Sequence, residues 1–230
     1  MALIQSGVLR HLAACLASAD TVAMVARVWV AMVQDDDVRV PFGKAHENAR
    51  EIVENHDALK LLTGCLAQYH GHLRTLEACL AAIRSLAVRN EYCQEVVDEG
   101  GLGHLRSILV DYPQVGARLP SGPPLHHDPC AVQEADVTTR SLQVLKALAG
   151  NDRVKTEAGR DGMLPLVVTA MDRHVTRAPL VEAGCAAITS LTLRQVGGSN
   201  KCLHFSIVDL SIPSLRTACV WCGTATARPS

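Results

Sequence analysis

Residues 86–102 read Leu86-Ala87-Val88-Arg89-Asn90-Glu91-Tyr92-Cys93-Gln94-Glu95-Val96-Val97-Asp98-Glu99-Gly100-Gly101-Leu102. An apolar helical face ends at Leu86-Ala87, a polar pair with capping character follows at Arg89-Asn90, and Glu91 to Glu99 forms a short amphipathic segment that stops at Gly100. A glycine there breaks one helix and lets the next leave at a sharp angle. Leu86 and Leu102 are 16 residues apart, as are Leu148 and Leu164. Leu59 and Leu86 are 27 apart, as are Leu164 and Leu191. The two intervals make a period of 43 residues, inside the range of roughly 40–47 residues for helical solenoid repeats.

Working outward, the same pattern recurs. Leu9/Leu12/Leu16, Leu59/Leu62/Leu66, Leu102/Leu105/Leu109 and Leu164/Val167/Met171 each place apolar residues at i, i+3 and i+7, one face of a helix. Gly7, Gly100 and Gly162 stand just ahead of three of these sets, and Asp57 ahead of the other. Trp29/Met32/Val33, Ile83/Leu86/Ala87, Leu145/Leu148/Ala149 and Ile188/Leu191/Thr192 mark a longer helix after each. The order short helix, glycine turn, medium helix, longer helix predicts an all-α, right-handed superhelical solenoid of about four three-helix repeats over residues 1–195. Leu62, Leu66, Leu86, Leu105, Leu109, Leu145, Leu148 and Val167 are expected in its core, because each unit covers its apolar face only with its neighbours.

Two intervals break the period. Extra residues around Val38 to Glu47 are expected to enlarge the first short helix or its approach. A second excess carries Pro113, Pro120, Pro123, Pro124 and Pro129. Helix interiors exclude such a run, so about 113–131 is expected to be an exposed loop. Residues 196–230 carry no repeat pattern and are expected to form an irregular, disordered tail.

Composition agrees with helix-on-helix packing. Apolar residues make up 48% and aromatic residues only 3%, so the core is built from Ala, Val, Leu and Ile. Lys plus Arg is 22 against 23 Asp plus Glu, which removes the basic excess expected of a nucleic-acid binder. The nine cysteines are odd in number and irregularly spaced. Cys15, Cys65, Cys79 and Cys185 fall within apolar patterns and read as small core residues in a reducing compartment. Val22 to Val33 is the longest apolar stretch beyond the N-terminus, contains Arg27, and falls short of the ~20 residues of a membrane span. Ala17-Ser18-Ala19 mimics a signal-peptide cleavage site, but Gln5, Arg10 and His11 interrupt the apolar run before it. The expectation is an intracellular protein, cytoplasmic or nuclear, with a protein partner and no nucleic-acid, membrane or small-molecule substrate.

Gln34-Asp35-Asp36-Asp37-Val38-Arg39-Val40-Pro41-Phe42-Gly43, residues 86–98 quoted above and Ala149-Gly150-Asn151-Asp152 resemble segments of the armadillo repeat-containing protein 6 family. The resemblance covers about residues 3–195 apart from the Pro-rich insertion. It implies the armadillo fold, and the family's members continue past both ends of this chain. Where it stops, the chain reads Gln114-Val115-Gly116 and Gln195-Val196-Gly197. Gln followed by Val-Gly is what translation through a 5′ splice site would produce, so both segments are expected to be intron-derived.

No motif points to chemistry. Cys202, His204, Cys219 and Cys222 offer zinc-capable ligands, but they lie in the tail and His204 is flanked by Leu203 and Phe205, so a zinc-binding tail module is the alternative to the scaffold reading and not the expectation. His70-Gly71-His72 and His126-His127-Asp128 read as solvated loop histidines, and Asp35-Asp36-Asp37 as helix capping. Gly100-Gly101-Leu102-Gly103 lacks the spacing and context of a phosphate loop. With no GxSxG, HExxH or cysteine–histidine arrangement, no catalytic residue, cofactor or metal is expected.

The groove remains. In an armadillo stack the third helices line a concave surface along which an extended partner segment lies. Aligning the repeats puts Val30, Arg84, Lys146 and Thr189 at one position of that helix, and Arg84 and Lys146 are the candidate partner-binding residues. A nuclear-import adaptor would place Trp and Asn on successive turns of each third helix. Here only Trp29 qualifies, and Val33 takes the place of its partner. Val8, Leu12, Val25 and Val28 near one end, with Ile188 and Leu191 near the other, are expected to promote self-association.

Overall fold

The computed structural model describes residues 18–34, 44–112 and 129–193. Ten helices account for nearly all of them, and no strand occurs among the described residues. Helix α1 is Ala19–Met32, followed by α2 Lys44–His56, α3 Ala58–Gln68, α4 Leu73–Leu86 and α5 Asn90–Asp98. Then come α6 Gly101–Asp111, α7 Pro129–Leu148, α8 Asp152–Arg160, α9 Met163–Arg173 and α10 Ala178–Thr192. The long helices stack in the order α1, α4, α7, α10. The medium helices α3, α6 and α9 form a second row, and the short α5 and α8 pack against it from a third. This is the three-helix solenoid expected from the 43-residue period.

Local sequence explains the turns. Asp57, Gly100 and Gly162 all adopt left-handed backbone, with φ of 48°, 83° and 69°. All three directly precede a medium helix, where the chain reverses. Glycine meets that requirement without Cβ strain, and Asp is among the few other residues that visit it. Ser18 caps α1 through a reciprocal box with Thr21. Asn151 caps α8, its side chain accepting from Arg153 N at 2.9 Å, and its amide also donates to the Asn90 carbonyl at 3.0 Å. That second bond ties the start of α8 to the start of α5. At the equivalent Arg89 no side-chain cap forms.

The eight core residues named from the pattern are all buried. Cys65 on α3 and Cys79 on α4 are both buried free thiols. The neighbouring Cys65 thiol together with burial pushes the Cys79 thiol up from its ordinary pKa.

Several expectations need correction. The loop expected to run to 131 is already helical at Pro129, the first residue of α7, where proline's missing N–H is no loss. The extra length before Asp57, by contrast, goes where it was expected, into the first short helix: α2 has 13 residues against nine in α5 and in α8. Cys185, expected in the core, is exposed: it sits on the side of α10 where the other long helices receive a following neighbour. Val25 is buried rather than sticky, because it occupies the inward position that Cys79 holds in α4, whereas Val28 is exposed and Ile188 and Leu191 are half-buried. His70 is not a solvated loop residue. Its ring stacks on Tyr112 with centroids 5.4 Å apart, and its Nε2 lies 3.5 Å from Asp111 Oδ2. The turn between α3 and α4 folds onto the end of α6.

Gly7, the Leu9 set, Cys15, Asp35-Asp36-Asp37, the proline run before Pro129, the zinc-capable tail residues and both Gln-Val-Gly junctions lie outside the described residues.

Candidate partner-binding groove

The exposed edge of the long-helix row is the candidate groove. On α4 the buried arc runs through Thr75, Leu76, Ala78, Cys79, Leu80, Ala82, Ile83 and Leu86, which leaves Glu77, Ala81 and Arg84 on the more open side, with the exposed Val88 just beyond the helix end. The same register leaves Arg27 and Val30 on α1, with Gln34 just past its end, and Gln143 and Lys146 on α7. Arg84, Lys146 and Thr189 are exposed and Val30 is half-buried. The two candidate cations sit in the last turn of α4 and of α7, where the negative end of the helix dipole favours them. Thr189 spends its hydroxyl on the Cys185 carbonyl of its own helix at 2.8 Å.

A cleft of about 260 Å³ opens between α1, α4 and α7, lined by Arg27, Val30, Gln34, Glu77, Ala81 and Arg140 among others. Arg84 and Lys146 do not line it; they lie on the strip beyond. Across its floor Arg140 Nε meets Glu77 Oε1 at 3.6 Å, and Arg140 Nη1 donates to Gln143 Oε1 at 3.2 Å. Alignment of a single position per repeat missed this cleft. The signal was present one turn away, since Arg27, Val30 and Gln34 follow the i, i+3, i+7 rule.

The charge pattern is uneven. Arg140 is matched by Glu77 and Arg177 by Asp136, whereas Arg27, Arg84 and Lys146 enter no ion pair among the described residues. Trp29 is fully buried, so the one tryptophan in a long helix is core and offers nothing to a ligand. No group of three or more His, Cys, Asp or Glu side chains converges on a possible metal position among the described residues. No helix among them is long and apolar enough to cross a membrane.

The three-row helical repeat agrees with the relatives. The chain is 36% identical over 203 residues to armadillo repeat-containing protein 6 from Pongo abelii, covering 86% of this chain and 38% of that protein. It is 39% identical over 168 residues to the Homo sapiens protein of the same name, covering 73% and 31%. The chain belongs to the armadillo repeat-containing protein 6 family. The Drosophila melanogaster homolog is 32% identical over 163 residues, 71% of this chain and 30% of the homolog. The chain thus spans about a third of the length of the curated relatives it matches. No protein-family model and no solved structure matches it. The armadillo architecture of the family is the architecture of the described helices, and it supports a repeat-based protein-interaction scaffold.

Proposed function

We propose that the chain acts as a non-enzymatic scaffold that holds an extended, acidic segment of a partner protein along its long-helix strip. One observation carries the reading: Arg27, Arg84 and Lys146 stand on the same open side of successive long helices without a described carboxylate. Neighbouring helix axes lie roughly 8–10 Å apart, and an extended peptide advances about 3.3 Å per residue. A carboxylate at roughly every third residue therefore matches one cation per helix. The polar edge of the cleft, Gln34 and the paired Arg140 and Glu77, supplies donors and an acceptor for peptide backbone.

The test uses the whole chain and a fluorescent extended peptide with Glu at every third position, against its Lys counterpart. The Glu peptide is expected to bind, with affinity falling as salt screens the exposed contacts. Arg84→Ala with Lys146→Ala should weaken it about tenfold, as the loss of two exposed charge pairs implies. Salt-independent binding of the Lys peptide would rule the reading out.

A further inference from the structure

Of the three cations on the long-helix strip, Arg27 alone lines the cleft between α1, α4 and α7; Arg84 and Lys146 lie beyond it. The lining holds two guanidinium groups, Arg27 and Arg140, and one carboxylate, Glu77. Arg140 and Glu77 already face each other at 3.6 Å, so the positive charge of Arg27 is left without an opposite. A single carboxylate neutralises it. A phosphate dianion would overshoot beside Glu77, and a basic side chain would add to the excess. The rest of the lining is small and apolar apart from Gln34: Val30 and Ala31 from α1, Ala78 and Ala81 from α4. The volume of about 260 Å³ falls just below the roughly 300–1,000 Å³ of pockets that enclose drug-sized ligands.

We infer, on the basis of the scaffold proposed above, that the cleft receives the C-terminal residue of the partner segment, its free carboxylate on Arg27 and its apolar side chain against Val30 and Ala81. A chain end matches every feature of the cleft at once: one negative charge, a last peptide N–H for Glu77 to accept, and a side chain to cover the apolar wall. An internal Glu brings the charge but no second side chain for that wall. Capture of a terminal carboxylate is a recurring way of reading peptides, and the planar guanidinium of Arg27 suits it as a two-pronged donor. From the cleft the segment runs back over α4 and α7, where Arg84 and Lys146 meet its internal acidic residues. Arg27 sets where the segment ends, and the other two cations hold its body.

The experiment is fluorescence anisotropy with the full chain and three N-terminally labelled peptides, all with Glu at every third position and leucine as the last residue. One ends in a free carboxylate, one in an amide, and one in an amide with an additional internal Glu that restores the net charge. The free acid is expected to bind about tenfold more tightly than either amide, the size of a charge-assisted hydrogen-bonded contact. Arg27→Gln should bring the free acid down to the amides. Arg27 is exposed, so far-ultraviolet circular dichroism should show wild-type helicity in that variant. Arg84→Ala with Lys146→Ala should weaken all three peptides alike and leave their ratio unchanged. Equal binding of the free acid and the charge-matched amide would overturn the inference while the strip still holds its acidic segment. A preference for the free acid that survives in Arg27→Gln would also overturn it, by placing the carboxylate away from the cleft. Binding of none of the three would overturn it together with the scaffold.

Discussion

In α4, Leu80, Ile83 and Leu86 are completely buried between α1 on one side and α7 on the other. In α10 the equivalent Cys185 is exposed, and Ile188 and Leu191 are only half-buried. The apolar spacing of the two helices is nearly identical, so the pattern names which faces can be covered while the neighbours decide which are. The fit beneath them differs as well. Between α3 and α4 the contact includes the Cys65–Cys79 thiol pair. Between α9 and α10 the place of Cys79 is taken by Gly184, where a Cβ would fall 2.4 Å from Met171 Cγ and Sδ. In the last repeat the Met171 side chain therefore packs directly on the backbone of the long helix.

The largest expected effect sits where α4 is enclosed. Leu80→Ala should destabilise the chain by about 2–5 kcal/mol, the loss of transfer free energy plus an unfilled cavity, measured by urea unfolding. Leu105→Ala in α6 should fall in the same range. A loss below about 1 kcal/mol at Leu80 would mean that α4 is not held on both sides, and the contrast with α10 would disappear.

The turns that lead into the two repeats make a second test. Gly162 precedes α9 with φ of 69°, and Asp57 precedes α3 with φ of 48°. Gly162→Ala should cost about 1–2 kcal/mol because Cβ is strained in left-handed backbone. Asp57→Gly relieves that strain while loosening the unfolded chain, so the two effects oppose and the net change should be under about 1 kcal/mol.

A third test uses pH. His174 follows α9 and is buried at the position that Tyr69 holds after α3. Burial, with Arg177 and Arg173 nearby, holds its pKa below the ordinary 6.5. The unfolded chain therefore takes up the proton first as pH falls. The native state keeps its full stability above about 6.5 and loses it progressively as pH drops from there through the lower native value. Unfolding free energies at pH 7.5 and pH 5.5 should differ in wild type, and His174→Tyr, which copies the Tyr69 arrangement, should flatten the difference. The smallest change belongs to Cys185→Ala, expected within about 0.5 kcal/mol, against the large loss at its α4 counterpart.

Much of the architecture was legible because a repeat states its own grammar several times. Spacing located the turns, so that Asp57 could be grouped with Gly100 and Gly162 although it is not glycine, and all three are left-handed. Burial at Leu62, Leu105 and Val167 followed from i, i+3, i+7 spacing alone. Cys185 was misjudged because local pattern carries no information about a neighbour on the trailing side. His70 was misjudged because the residues that enclose it, Asp111 and Tyr112, come from another repeat. Arg84 and Lys146 come from aligning one position of the long helices, and both are exposed. The cleft at Arg27, Gln34, Glu77 and Arg140 arises between helices, and no single-helix register shows a space bounded by three of them.

Tyr112 carries a consequence of a different kind. Its phenolic O–H donates to the His70 carbonyl, and its own carbonyl accepts from Thr138 Oγ1 at 3.3 Å. The end of α6 is thus moored to the α3–α4 turn and to α7 at the point where residues 113–128 depart, and α7 resumes at Pro129 against the same helices. For a segment whose two ends are already fixed, closure entropy grows only with the logarithm of its length, about 0.6 kcal/mol for each doubling. The junction after Tyr112 is a tolerant insertion point: a reporter peptide or a small domain spliced there would hang from two anchored stems while α4 and α7 keep their register.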